Sequence, residues 1–162
     1  MDKILFVCTG NTCRSSMAEA LFRDLTAEVE QDWEIMSAGV AALEGQPAAE
    51  EAVQVMEKED IDLSDHRTTS LTEELLSKAD LVLTMTRRHK ASILDLHPQF
   101  ADKVYTLKEY TNQLEAEKTG EVDISDPFGQ PIAAYQECAA EIKEELKKII
   151  NHLTCEEDTD YN

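Results

Sequence analysis

Ile4-Leu5-Phe6-Val7 is an unbroken apolar run near the start of the chain, ended by Thr9-Gly10-Asn11-Thr12. Such a run, bounded by turn-forming residues, predicts a strand buried on both faces. From Ser15 the pattern changes, and Met17, Leu21, Leu25 and Val29 recur every four residues with Glu19, Arg23, Asp24 and Glu28 elsewhere on the wheel. That is the pattern of an amphipathic helix. Trp33 to Ala38 reads as a second strand, and Pro47 is placed to open a helix carrying Ala52, Val53 and Met56 on one side. Ser70 and Glu73 have capping-box spacing for a short helix. Leu81-Val82-Leu83 reads as a third strand, followed by a helix through Ile93 and Leu96 that ends near Pro98. Lys103 to Leu107 supplies a fourth strand, and a long unstructured stretch rich in Lys, Glu, Thr and Gly then leads to Asp126-Pro127-Phe128-Gly129. The last helix carries Tyr135, Cys138, Ile142, Leu146, Ile149 and Leu153 at three- and four-residue steps.

Four strands alternating with helices predict an α/β fold: an open three-layer α/β/α sandwich around a four-stranded parallel sheet. Ligands bind such sheets at the carboxyl ends of the strands, where the loop from Cys8 to Arg14 falls. A chain of 162 residues suits one domain, expected over residues 1–155, with 156–162 as a frayed acidic tail.

Charge narrows the partners. The 34 Asp and Glu against 15 Lys and Arg leave a net charge of −19, which repels phosphate polymers, so neither nucleic acid nor an anionic membrane is expected as a partner. No apolar stretch approaches the ~18–20 residues of a membrane span, and Ile4 to Val7 is too short for a signal-peptide core, which points to the cytoplasm. There Cys8, Cys13, Cys138 and Cys155 are expected as free thiols. No C-x-x-C occurs, and His66, His89, His97 and His152 are scattered without ligand spacing, so neither a metal nor another cofactor is expected.

The first loop carries the chemistry. Cys8 ends a strand and Arg14, six positions on, begins a helix. Gly10 and Asn11 tolerate positive φ, which lets successive amides turn inward as an anion nest, and the helix adds the positive end of its dipole. Arg14 adds a planar fork that matches two phosphate oxygens. A cation at a helix start opposes the dipole, so it calls for an anion nearby. Amides, dipole and Arg14 together favour a nucleophilic thiolate at Cys8, where a lone cysteine would otherwise read as a small buried packing residue. Asp126-Pro127, taken alone, reads as a turn before the last helix.

Val7-Cys8-Thr9-Gly10-Asn11-Thr12-Cys13-Arg14-Ser15 with Met17-Ala18-Glu19, then Ser37-Ala38-Gly39, His66-Arg67 and Asp126-Pro127-Phe128, resembles the low-molecular-weight protein tyrosine phosphatase family over nearly the whole chain. Its bacterial protein-arginine-phosphatase branch is the most similar. The resemblance implies a four-stranded parallel sheet, no metal and a phosphocysteine intermediate, with phosphorylated proteins as substrates. It makes Cys8 the nucleophile, Arg14 the phosphate clamp and Asp126 the group that protonates the leaving group and later activates water. Thr9, Gly10, Asn11, Thr12, Cys13 and Ser15 then form the substrate-binding loop, with Ser15 donating to the Cys8 thiolate and Phe128 walling the cleft. Ser37 and His66 brace the loop together with Asn11. Cys13 is either a packing residue or a redox partner that closes a reversible disulfide with an oxidised Cys8. Ser16 replaces the usual proline and is expected to loosen the loop slightly, and Gln130-Pro131 replaces a small-residue pair at the cleft rim.

Thr12 separates two substrates. The tyrosine-directed members usually carry a bulky aliphatic residue there, whereas the arginine-phosphatase branch has threonine. Its hydroxyl suits a hydrolytic water or a polar guanidinium group, and Phe128-Gly129 lacks the paired aromatics that stack on phenols. The expected substrate is therefore phosphoarginine in proteins, with phosphotyrosine as the alternative. Arsenate reduction would need cysteines between Asp80 and Leu96, where there are none. A non-catalytic phosphoanion-binding module would lack Cys8 or Asp126, and both are present. A structural or interaction protein would use the acidic surface and the long last helix instead.

Overall fold

The computed structural model describes residues 1–116 and 120–157. Strands β1 (Lys3–Cys8), β2 (Glu34–Gly39), β3 (Leu81–Thr84) and β4 (Val104–Thr106) form one parallel sheet in the order β2-β1-β3-β4. Helices α1 (Arg14–Leu25), α2 (Glu50–Glu57), α3 (Glu73–Lys78), α4 (Arg87–Leu96), α5 (Leu107–Glu115) and α6 (Ile132–Glu157) connect and cover it. The expected α/β/α sandwich is therefore the observed architecture.

The pleat of β1 shows why both faces need helices. Ile4 and Phe6 join Met17, Leu21 and Phe22 of α1 and Ile142, Leu146 and Ile149 of α6 in one apolar cluster. Leu5 and Val7 point the other way, into a second cluster with Leu76 of α3 and Ile93 of α4. Each such side chain contributes roughly 1.5–3 kcal/mol when fully buried, so the central strand anchors two cores at once. In register, Cys8 lies beside Gly39 and Val7 beside Thr84, which brings three strand ends to one edge. The chain leaves β1 for β2 on one side and returns to β3 on the other, so that edge holds the topological switch point.

Local elements differ from expectation in five places. Helix α1 stops at Leu25: the Thr26 hydroxyl bonds back to the Phe22 carbonyl, and the N–H groups of Ala27 and Val29 reach only three residues back, to Asp24 and Thr26, so Val29 closes a turn and not a helical repeat. Pro47 does not open α2, which begins at Glu50 and buries Ala52, Val55 and Met56; Pro47 instead bridges to Arg67. Thr72, not Ser70, caps α3 by accepting the Leu75 N–H at 3.2 Å, while Ser70 is drawn into a bridge with Gly39. The stretch read as unstructured holds α5, closed by a capping box of Thr106 and Glu109, with Leu107 and Thr111 buried against the fold. Helix α6 runs on through Glu157 into the expected tail, and residues 158–162 lie outside the described residues. Among the described residues no helix is long and apolar enough to cross a membrane.

Candidate active site

The loop after β1 meets the loop before α6 around an open cavity of about 290 Å³. Cys8, Thr9, Gly10, Thr12, Cys13 and Arg14 line one side of it, and Asp126 and Phe128 another; Ala41, Leu43, Gln46 and Thr68 complete the rim. Phe128 and Leu43 are 71% and 76% exposed, so the mouth is walled by two apolar side chains that stay largely open to solvent among the described residues.

Asn11 shapes the loop. It sits in the left-handed region with φ 58°, whereas the expected second left-handed residue, Gly10, does not adopt positive φ. Its buried side-chain amide donates to Ser15 Oγ at 2.8 Å and Ser37 Oγ at 2.9 Å, and its Oδ1 accepts the Thr69 N–H at 2.9 Å. His66 Nε2 donates to the Asn11 carbonyl at 2.8 Å. Loop, β2 and the segment before α3 thus converge on one buried asparagine, and a fully satisfied buried network of this kind is rigid.

Ser15 Oγ lies 2.9 Å from Cys8 Sγ. Asn11 donates to that oxygen, so the single Ser15 proton is shared between the sulfur and the more distant Ala38 carbonyl at 3.4 Å. Arg14, only 4% exposed, donates through Nη1 to the Ile124 carbonyl at 2.9 Å and keeps Nη2 3.5 Å from Asp126 Oδ2. The anion that a cation at a helix start calls for is present in this carboxylate. Asp126 also accepts the Phe128 N–H at 3.1 Å, so the turn reading of Asp126-Pro127 holds as well. Its side chain stays half-exposed at the mouth of the cavity.

Cys13 is buried between the Thr12 hydroxyl at 3.5 Å and the Tyr135 hydroxyl at 3.7 Å, and burial pushes its thiol pKa up. Burial likewise raises the Cys138 thiol, to about 12. Ser16, expected to loosen the loop, donates to the Cys13 carbonyl at 2.9 Å and tethers the first turn of α1 to it.

A model of the low molecular weight phosphotyrosine protein phosphatase family matches residues 3–159. The chain belongs to that family. It is 41% identical over 150 residues to the protein-arginine-phosphatase of Bacillus subtilis strain 168, across 93% of this chain and 95% of that protein. The solved structure of the low molecular weight protein tyrosine phosphatase from T. tengcongensis superposes with a TM-score of 0.85 at 47% identity, covering 93% of this chain and 99% of that one. A structure of the arginine phosphatase YwlE, a mutant with a phosphorylated active-site serine, superposes with a TM-score of 0.86 at 41% identity, covering 94% and 95% of the two chains.

Four further residues, none singled out as functional from the sequence alone, support the cavity's walls. Glu19 accepts the Ser37 hydroxyl at 2.5 Å and so extends the Asn11 network to the surface. Tyr135 packs its hydroxyl on Cys13, and Ile124 supplies the carbonyl that holds Arg14. His89, 4% exposed, reaches Thr9 of the first loop. The signals for these were faint: Glu19 sat on the polar side of a helix wheel, and His89 was one of four unclustered histidines. Among the described residues no group of His, Cys, Asp and Glu is arranged to hold a metal ion.

Proposed function

We propose that the protein hydrolyses phosphoarginine in proteins, with Cys8 as nucleophile, Arg14 as phosphate clamp and Asp126 as proton donor and acceptor. The observation that carries this reading is the gathering of Cys8, Arg14 and Asp126 on one cavity, with the Ser15 hydroxyl on the cysteine sulfur. The Cys8 thiolate attacks phosphorus, an S–P bond forms, and the P–N bond to the guanidinium breaks. Asp126, in its acid form, delivers a proton to the departing nitrogen. As a carboxylate it then takes a proton from the water that attacks the phosphocysteine, which releases inorganic phosphate and restores the thiolate. Arg14 pairs with the equatorial phosphoryl oxygens as charge spreads over them, and the Ile124 carbonyl holds its plane ready. Ser15 donates to the thiolate each time it is the leaving group.

Thr12 on the cavity wall supports arginine over tyrosine, since its hydroxyl suits a polar guanidinium group. The name of the Bacillus subtilis relative supports the same choice. Phosphotyrosine is the second reading, favoured by the exposed apolar walls Leu43 and Phe128, which suit a phenol ring. Initial rates on matched phosphoarginine and phosphotyrosine peptides separate the two. A kcat/KM higher for phosphoarginine is expected, and the reverse order would overturn the assignment.

A further inference from the structure

His89 stands in the first turn of α4, three residues after the helix cap Thr86, and its ring is wedged between two hydroxyl groups. Nε2 lies 2.8 Å from Thr9 Oγ1, and Nδ1 lies 3.0 Å from Thr86 Oγ1. Thr86 Oγ1 also accepts the backbone N–H of His89 at 3.2 Å. Burial first, and then the charge of Arg14, lower the imidazole pKa to about 4, so the ring is neutral at pH 7 and carries one proton.

The two neutral forms are not equivalent. With the proton on Nδ1, Thr86 Oγ1 would take two donors, its own proton would have no acceptor among the described hydrogen bonds, and the Thr9 proton would be spent on the ring. With the proton on Nε2, every group is matched: Thr86 donates to Nδ1 while accepting the His89 amide, and Nε2–H donates to Thr9 Oγ1. Thr9 then has its own proton left over. Thr9 follows the cysteine directly and lines the cavity, where a phosphoryl group offers only acceptors.

We infer that His89 is a positioning residue, which through Nε2–H fixes the Thr9 hydroxyl as a hydrogen-bond donor to the phosphoryl oxygens held in the cleft. The inference rests on the phosphate-binding part of the proposed function and adds the Thr9 hydroxyl, held from the first turn of α4, to the backbone donors of the first loop. His89 does not touch substrate and does not itself transfer a proton; its contribution is to choose which way the Thr9 hydroxyl points.

Two measurements that need no turnover test it. A long-range proton–nitrogen correlation spectrum of the ¹⁵N-labelled protein at pH 7, with His89 assigned by its absence in His89→Gln, is expected to show the proton on Nε2. A proton on Nδ1, or on both nitrogens, overturns the inference. Titration with inorganic phosphate should then give a weaker Kd for Thr9→Val and for His89→Leu, each by roughly tenfold, the usual size of one hydrogen bond to a charged group. The double variant should lose no more than either single one, and Thr9→Ser should recover most of what Thr9→Val loses. Additive losses, or an unchanged Kd in Thr9→Val, would refute the role. A protein that passes both tests yet hydrolyses neither phosphopeptide would count against the phosphatase reading alone.

Discussion

A β-carbon on Gly39 would lie 2.4 Å from the carbonyl oxygen of Thr9 and 2.9 Å from the backbone nitrogen of Asn11. The end of β2 therefore approaches the first loop more closely than any side chain allows. Gly39→Ala must push the loop away, at a cost of about 1–3 kcal/mol for an overpacked site. A lower Tm together with a fall in kcat/KM is expected from thermal melts and steady-state assays, and a variant indistinguishable from the parent in both would mean that the contact is not needed.

Cys8→Ser should abolish turnover and keep phosphate binding, because Arg14 and the loop amides remain while a protonated hydroxyl is a weak nucleophile. Calorimetric titration with phosphate and a discontinuous assay check the two halves. Substantial residual hydrolysis would sink the covalent mechanism.

Asp126→Asn should slow hydrolysis of phosphoesters with basic leaving groups by about 10²–10⁴, and that of activated aryl phosphates far less, since proton delivery matters most for a poor leaving group. The comparison is a plot of rate against leaving-group pKa. An equal loss along the whole series would remove Asp126 from the role.

Burial raises the Cys13 thiol pKa and so disfavours its direct reaction with peroxide. The expected sequence is a sulfenic acid on Cys8 that condenses with the Cys13 thiol, giving a disulfide and water. Cys13→Ala should then make peroxide inactivation harder to reverse with added thiol. Mass spectra of the inactivated parent protein that contain no Cys8–Cys13 linkage would dismiss this protection.

Thr12→Ile removes a polar contact and fills the pocket while leaving Cys8 and Arg14 in place. Loss of one such contact costs ~1–3 kcal/mol, so the ratio of phosphoarginine to phosphotyrosine kcat/KM should fall roughly 5–150-fold. The four constants are measured under one set of conditions, and a ratio unchanged within error would place the source of specificity elsewhere.

What could be read from the residues alone follows a physical divide. Strands β1 and β3 were legible because both faces of each are buried, leaving short continuous apolar runs. The first loop was legible because Cys8 to Ser15 is contiguous in the chain. Helix α5 was missed because Leu107 continues the apolar run of β4 and the rest of the helix is half-polar; only the Thr106 and Glu109 pair announced it. Ser70 has the spacing of a cap for α3, but its backbone pairs with Gly39 through the tertiary fold and Thr72 caps the helix instead. His89 carried no local signal, since its meaning comes from Thr9, eighty positions earlier.

Arg14 is held by the carbonyl of Ile124, 110 residues further along the chain. The clamp is therefore not a local property of its loop: it forms only once strands, crossovers and the final connection are assembled, which makes anion affinity a gauge of the completed fold. By mass action, anything that binds this assembled state and not the unfolded chain stabilises it, so inorganic phosphate should act as a ligand-induced brace for the whole molecule, with a midpoint of unfolding that climbs with phosphate concentration.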